Sequence, residues 1–166
     1  RGLAQGHPKK LMDEPSAQIE TFGRYGFNKS HSVAYSVLSY QTAWLKVHYP
    51  AEFMAALLSS EIGDTATVVQ YIHAARETGL ELSPPEVDGT GDTFTVVGPT
   101  RIRFGLGAVR NVGRGAIESI IAGRDGGRFA TLADLADRLD LRLANRRVFE
   151  SLIGAGACDS LEGHRA

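Results

Sequence analysis

Glycine and proline divide this chain into short segments, and this punctuation limits what the chain can fold into. Pro50, Gly63 and Gly79 lie where runs of helically spaced apolar residues start or stop. The segment Ser83–Pro85 then interrupts the helical pattern, because proline lacks the backbone N–H that a helix needs. The sequence therefore predicts a first half built only of helices, followed by a change of structure.

Four helices are predicted before Ser83, each with apolar residues at helical spacing. They run from Asp13 to Phe22, from a cap at Ser30 or Ser32 to Pro50, from Pro50 to Gly63, and from Thr65 to Thr78. The second helix is expected to be long and mostly buried, through Val33, Val37, Tyr40, Trp44 and Val47.

The second half is predicted to begin with a small β-hairpin, Thr93–Val97 and Arg101–Phe104, which turns at Gly98 and Pro99. A helix-turn-helix unit follows at Leu106–Ala122, then a helix that starts with a capping-box-like pair, Thr131 and Asp134. The last helix is expected at Ala144–Ile153. The predicted fold is mainly α, with one small β element.

The charges are nearly balanced, with 18 Lys and Arg against 19 Asp and Glu, so net charge gives no argument for a nucleic-acid partner. Residues 1–50 are locally basic, whereas residues 51–104 are acidic and are expected to form a solvated connector. Cys158 is the only cysteine, which excludes an internal disulfide and multi-cysteine zinc modules and favours a reducing cytoplasm. We interpret Arg1 and Ala166 as cuts in a longer protein.

The first chemically informative block is Gly23–Tyr35. It places an amide (Asn28), an ammonium (Lys29), a hydroxyl (Ser30) and an imidazole (His31) at a predicted helix start, where backbone N–H groups favour an anion. This arrangement suits a phosphate. The alternative is that the serine only caps the helix and the other side chains are solvated or bonded within the fold.

The stretch Tyr25–Tyr35, with Ser39–Lys46 and His48–Ala56, closely resembles the fingers domain of family C DNA polymerases, the bacterial polymerase III alpha subunits. In that family the fingers close over the incoming deoxynucleoside triphosphate. The resemblance implies that Asn28, Lys29, Ser30 and His31 lie near its phosphates, and that Tyr35 lies by its sugar or base.

A second block, Asn111–Ile117, resembles the hairpin of a helix-hairpin-helix motif. In that motif a small apolar residue, here Val112, lies between the helices, while glycine permits positive φ or close approach of a phosphate. We therefore predict DNA contacts at Arg110, Asn111, Gly113, Arg114 and Gly115. Asn111 replaces the usual first glycine, which is tolerable because asparagine also enters the left-handed region. A dinucleotide-binding interpretation of Gly105–Gly107 is weak, since no βαβ unit follows.

A third block, Asn145–Ile153, followed by Gly154–Asp159, resembles the second hairpin of the same polymerase segment, with its closing helix truncated. Arg146 and Arg147 are predicted to contact phosphate, although helix-surface arginines are often only solvated. Cys158 is expected to be a small buried hydrophobe rather than a nucleophile.

The resemblance implies three parts: the end of a fingers domain at residues 1–88, a β-hairpin connector at 89–104, and a truncated helix-hairpin-helix DNA-binding segment at 105–166. It also implies that catalysis depends on palm carboxylates and Mg²⁺ outside this chain, which alone should be inactive. Expected partners are primer-template DNA, deoxynucleoside triphosphates and, through other regions, the sliding clamp and further replicase subunits. The alternatives are a non-catalytic helix-hairpin-helix DNA-binding module and a structural interaction domain.

Overall fold

The computed structural model describes Gly6, Pro8, residues 17–19 and residues 29–162. Contacts divide the chain into two compact units, Arg1–Trp44 and Leu45–Ala166. Residues 17–19 are helical. The rest of the helix predicted at Asp13–Phe22 lies outside the described residues, as do Asn28 and the last four residues.

Helix α1 runs over Lys29–His48 and has no buried residue. The expectation that this helix is mostly buried is wrong: Val33 is 56% exposed and Val47 is 73% exposed. Helical periodicity shows which apolar residues share a face, but it does not show that the same chain supplies the surface covering that face. Ser30 and Ser32 lie inside the helix rather than at its N-cap.

Helices α2 and α3, at Pro50–Ser60 and Thr65–Glu77, confirm the next two predictions. Pro50 occupies the first turn of α2, where its missing N–H costs nothing. Asp64 caps α3 by accepting from the backbone N–H groups of Ala66 at 3.0 Å and Thr67 at 3.2 Å. Gly79 follows α3 with φ at +83°, a conformation that favours glycine.

The predicted hairpin is confirmed as β2 (Thr95–Gly98) paired antiparallel with β3 (Arg101–Arg103), with a register shift between Val96 and Gly98. The structure adds a strand that the sequence did not predict, β1 at Glu81–Ser83, which pairs parallel with β3. The strand order is β1-β3-β2. Three residues are too short a run for the alternation that identifies a strand.

The sheet shares one core, the helix–sheet core, with α2 and α3, so the expected solvated connector at 51–104 is wrong. Ile102 of β3 is fully buried, and the hydroxyl of Ser59 in α2 accepts from the Phe94 N–H at 3.1 Å. The acidic residues of this segment occupy its surface while its apolar residues pack inward. The buried members are Ala51, Met54, Ala55, Leu58, Val68, Ala75, Leu80, Phe94 and Ile102.

A second apolar cluster, the hairpin core, is built around three helices: α4 at Arg114–Gly123, α5 at Leu132–Arg138 and α6 at Arg146–Gly154. The Val87 N–H donates to the Ala157 carbonyl at 2.9 Å, which ties the loop after the first strand to the segment after α6. The fold is therefore mainly α with a small sheet, as predicted. The division at residues 88 and 104 stays a prediction.

Candidate nucleic-acid interface

The first hairpin unit consists of a single 3₁₀ turn at Leu106–Ala108, a tight turn, and α4. The element before the turn is therefore shorter than the helix predicted there. The Val112 N–H donates to the Val109 carbonyl at 3.2 Å, and the Val112 side chain is 7% exposed within the hairpin core. Val112 thus has the buried position predicted for it.

The left-handed residue of this turn is Asn111, with φ at +65°. At Gly113, where positive φ or close approach of a phosphate was expected, the first alternative is wrong, since φ is −83° and a Cβ built there meets nothing within 4 Å. Close approach of a phosphate to Gly113 stays a prediction. Asparagine enters the left-handed region more readily than most residues, so Asn111 makes the turn by itself. Its side chain also donates to the Ser151 hydroxyl at 3.1 Å, so the amide links the turn to α6.

The start of α4 carries no side-chain cap, because its N-cap residue is Gly113. The first N–H groups of a helix have no partner within the helix, and their partial positive charge attracts anions. Gly115, in this first turn, is packed closely: a Cβ there would lie 3.3 Å from Leu143 Cδ2. Gly113 thus leaves the backbone open, while Gly115 lets the second hairpin approach.

The second hairpin unit is formed by α5, the turn after it, and α6. Thr131 caps α5 by accepting from the Asp134 N–H at 3.1 Å, which confirms the predicted pair. Asn145 caps α6 by accepting from the N–H groups of Arg147 at 3.0 Å and Val148 at 3.3 Å. The helix start of this unit is therefore already satisfied by a side chain.

The resemblance predicted two hairpin units in tandem, and their second helices correspond at a constant offset along the chain, which the sequence analysis did not identify. Each unit has a buried small residue before its second helix, Val112 or Ala144. Helices α4 and α6 each have an arginine at the first position and a Glu-Ser pair in the second turn. The corresponding pairs are Arg114 with Arg146, Glu118 with Glu150, Ser119 with Ser151, and Ile120 with Leu152.

The serines of the matching pair connect the two units reciprocally. Ser151 in α6 accepts from Asn111 of the first turn, and Ser119 in α4 accepts from the Asp140 N–H at 3.0 Å, at the entrance of the second turn. Aligning the two Glu-Ser pairs would have been the sequence signal for this arrangement.

The four predicted DNA-contacting arginines are all exposed. Arg114 and Arg146 each pair with a glutamate one turn later, at 3.0 Å to Glu118 and 2.8 Å to Glu150. Such solvated pairs contribute little stability and exchange readily for a phosphate. Arg110 and Arg147 form no ion pair with any residue that the structure describes.

Residues 79–166 match the family described as the helix-hairpin-helix motif. The chain belongs to this helix-hairpin-helix family.

Curated relatives extend the match over nearly the whole chain. The DNA polymerase III subunit alpha of Neisseria meningitidis serogroup B is 45% identical over 163 residues, which are 98% of this chain and 14% of that protein. That of Thermus aquaticus is 48% identical over 167 residues, which are 100% of this chain and 13% of that protein. The DNA polymerase III subunit alpha of Escherichia coli is 48% identical over 149 residues, which are 89% of this chain and 13% of that protein. The resemblance to polymerase III alpha subunits is thus confirmed, and the chain spans about one seventh of the length of these curated relatives.

The predicted nucleotide-binding residues lie on α1 at a distance in sequence from the helix-hairpin-helix segment. Lys29, Ser30 and His31 are exposed in its first turn, and Tyr35 follows one turn later. The structure brings His31 and Tyr35 together, with ring centroids 4.2 Å apart. Asn28 lies outside the described residues. Whether these side chains bind a nucleotide stays a prediction.

Gly105 and Gly107 have a structural role instead of a dinucleotide-binding one. The Leu106 and Gly107 N–H groups donate to the carbonyls of Gly91 and Asp92 at 2.9 and 3.0 Å. A Cβ on either glycine would overlap atoms of Asp92. These glycines let the loop before β2 pack directly on the 3₁₀ turn.

Two arginines that the sequence did not single out hold the helix-hairpin-helix segment together. Arg124 donates to the carbonyl oxygens of Val87 and Thr90, and its burial lowers the pKa of its guanidinium. Arg138 donates to the Gly127 carbonyl at 2.9 Å and to Asp134, and its guanidinium lies 4.4 Å from the Phe129 ring centre. The i,i+4 spacing of Asp134 and Arg138 was the available signal.

The described residues contain no group of three His, Cys, Asp or Glu side chains that could hold a metal ion. Cys158 is half-buried against the hairpin core, close to its predicted role as a small hydrophobe. Among the parts of the chain that the structure describes, no helix is long and apolar enough to cross a membrane.

Proposed function

We propose that this chain contributes a duplex-DNA-binding surface to a replicative DNA polymerase, and that the surface holds the phosphate backbone without reading bases. The observation that carries the proposal is the uncapped start of α4 inside a helix-hairpin-helix unit. The polymerase III alpha relatives match the helices before residue 79 as well as the motif. This coverage favours a polymerase part over a free-standing binding module.

The binding mode follows from two sources of positive charge at the surface, the start of α4 and the arginines of α6. Backbone N–H groups at the start of α4, beside Arg114, have no side-chain cap, and the partial charge of the helix adds to theirs. The second unit, capped by Asn145, offers the exposed arginines Arg146 and Arg147 instead. Leu143 lies so close to Gly115 that a Cβ built on the glycine would be 3.3 Å from Leu143 Cδ2, which places the start of α4 next to the second turn. Contacts of these two kinds recognise phosphates, so binding should not depend on base sequence.

A titration of the chain with two duplexes of unrelated sequence, at several salt concentrations, tests this proposal. Both duplexes should bind with the same affinity, and the affinity should fall steeply as salt increases. Replacing Arg114 with Gln should lower the salt slope by about one unit if its side chain meets a phosphate. Arg101→Gln, which removes an exposed arginine from β3, is the matched control. Absence of duplex binding by the folded chain would overturn the proposal.

We further propose that Lys29, Ser30 and His31, with Asn28 and Tyr35, contact the incoming deoxynucleoside triphosphate in the complete polymerase. The first turn of a helix suits a phosphate, and the contact between His31 and Tyr35 orients both rings on one face of α1. Lys29→Ala in the complete polymerase should then mainly raise the KM for triphosphate. Lys46→Ala, near the other end of α1, is the control. An unchanged KM and kcat for Lys29→Ala would make this lysine a solvated surface residue.

We propose that nucleotidyl transfer, the Mg²⁺ ions and the sliding-clamp contact belong to other regions of the polymerase. We also propose that the polymerase is cytoplasmic. Two-metal transfer needs a cluster of acidic ligands, and the described residues do not fit that requirement. We therefore assign no catalytic step to this chain. The purified chain should not extend a primer in the presence of Mg²⁺, and extension free of contaminating polymerase would contradict this assignment.

A further inference from the structure

A groove with a volume of about 530 Å³ runs beside the first hairpin turn. One wall is apolar and comes from the segment that enters and leaves the small sheet: Leu82, Pro84, Pro85 and Phe104. The other side is formed by the hairpin turn, including Arg110 and Asn111. Its size is within the range of sites that hold small molecules or parts of larger ligands.

The charged side chains that line this groove are all positive. Arg76, in the last turn of α3, and Arg110, in the hairpin turn, both line it, and both are exposed. Neither arginine forms an ion pair with a residue that the structure describes, and no acidic residue described here lines the groove. An occupant with a negative charge next to a flat apolar group would complement both properties.

The groove is continuous with the proposed DNA surface, because Arg110 and Asn111 belong both to the groove and to the turn that leads into α4. A strand whose phosphates follow the start of α4 would reach Arg110 and the mouth of the groove at its next positions. Paired bases cannot turn into such a groove, whereas an unpaired nucleotide can place its base there.

We propose that the groove binds an unpaired nucleotide at the end of the duplex held by the hairpin units, with its phosphate between Arg76 and Arg110 and its base against Pro84 and Phe104. Phe104 is half-buried and its ring lies 4.9 Å from that of Phe94, so it is a supported apolar surface. A base packed on such a surface is recognised by its flat face and not by its sequence. The proposal rests on the proposed function, since the duplex delivers the unpaired nucleotide to the groove.

The experiment compares one duplex with blunt ends and the same duplex carrying a short single-stranded thymidine overhang, with affinity measured by fluorescence anisotropy. The unmodified chain should bind the overhang duplex about tenfold more tightly, the gain expected from one stacked base. Arg76→Gln should remove most of this preference while leaving blunt-duplex affinity unchanged. Arg101→Gln, an exposed arginine on the sheet, is the matched control and should keep the preference.

A second pair of variants tests the groove without removing an arginine. Pro84 is exposed in the groove wall, so Pro84→Glu adds a carboxylate that repels the phosphate, and Pro84→Gln adds a neutral side chain of the same size. Pro84→Glu should weaken overhang binding more than Pro84→Gln does. Equal affinity for blunt and overhang duplexes, with blunt binding intact, would overturn the groove proposal and leave the duplex surface standing. If the unmodified chain bound neither duplex, the proposed function itself would be overturned.

Discussion

The two hairpin units share a backbone plan but treat the start of their second helix differently. In the first unit Gly113 leaves the N–H groups of α4 without a side-chain acceptor, whereas in the second unit Asn145 satisfies those of α6. Both helices carry an arginine and a glutamate at matching positions, and both contribute to one core. The two units therefore share one core but differ before their second helices, in the left-handed Asn111 of the first turn and in the residue that caps the helix.

This contrast separates what stabilises the fold from what remains for a ligand. A side-chain N-cap stabilises a helix by about 1 kcal/mol, so the fold is less stable with glycine at this position than it could be with a capping residue. The same glycine leaves the helix start open to an external anion. We infer that the first unit binds phosphate chiefly through its backbone and the second through Arg146 and Arg147.

The largest expected effect tests whether the two units share one core. Ile120 in α4 and Leu152 in α6 occupy corresponding positions, and both are fully buried. Replacing either with Ala should lower the free energy of unfolding by about 2–5 kcal/mol, through lost burial and a cavity. Urea unfolding of both variants measures this. A loss for Ile120→Ala with none for Leu152→Ala would show that the second unit is not part of the same cooperative core.

A smaller effect is expected at Arg138, which closes the turn before the second unit. Its side chain is 22% exposed and donates to three backbone carbonyls as well as to Asp134. Arg138→Met keeps much of the apolar stem but leaves those acceptors unpaired, so it should cost about 2–3 kcal/mol. Arg128→Met, at an exposed position nearby, is the control in the same unfolding experiment. Equal stabilities of the two variants would contradict the role given to Arg138.

The caps themselves provide the next test. Asn145→Ala should lower the free energy of unfolding by about 1 kcal/mol, whereas Asn145→Gly, which copies the first unit, should cost only a few tenths of a kcal/mol. Thermal and urea unfolding of the two variants measure the difference. If Asn145→Ala were as stable as the unmodified chain, the side-chain bonds of Asn145 to α6 would have no energetic value.

The smallest effect concerns acid, to which the second unit should be sensitive. Hydrogen bonds from Arg138 and Arg142 lower the pKa of Asp134 and of Asp140 below the ordinary value of 3.8. Their stabilising contribution is therefore complete above pH 3.8 and is lost as pH falls through the lower folded-state pKa. Asp140→Asn should flatten the decline in stability below pH 3.8. An acid profile identical to that of the unmodified chain would contradict this.

Much of the secondary structure could be predicted because it depends on local chemistry. Pro50 at the start of α2, the Thr131 cap of α5 and the glycine after α3 act through their own backbone and nearest neighbours. The β-hairpin was predictable for the same reason. Strand β1 was not, because its pairing with β3 depends on a distant segment.

The candidate site was predicted in composition but only partly in geometry. The sequence identified Asn111, Gly113 and the arginines and allowed Asn111 a left-handed conformation, yet it also left positive φ open at Gly113, where φ is −83°. A turn pattern indicates that a left-handed residue is needed but not which position takes it. The exposed face of α1 was missed for a related reason, since periodicity cannot show whether a covering surface is present.

The most direct test of the central claim gives the first unit the cap of the second. Gly113→Asn adds a side chain that can accept from the start of α4, at a position where a Cβ meets nothing within 4 Å. It should leave the chain as stable or a few tenths of a kcal/mol more stable, and it should weaken duplex binding by about tenfold, since the side chain replaces the phosphate. Gly154→Asn, at the end of α6, controls for adding an asparagine elsewhere and should bind normally. Unchanged duplex affinity of the folded Gly113→Asn variant would contradict the claim that the open helix start holds DNA.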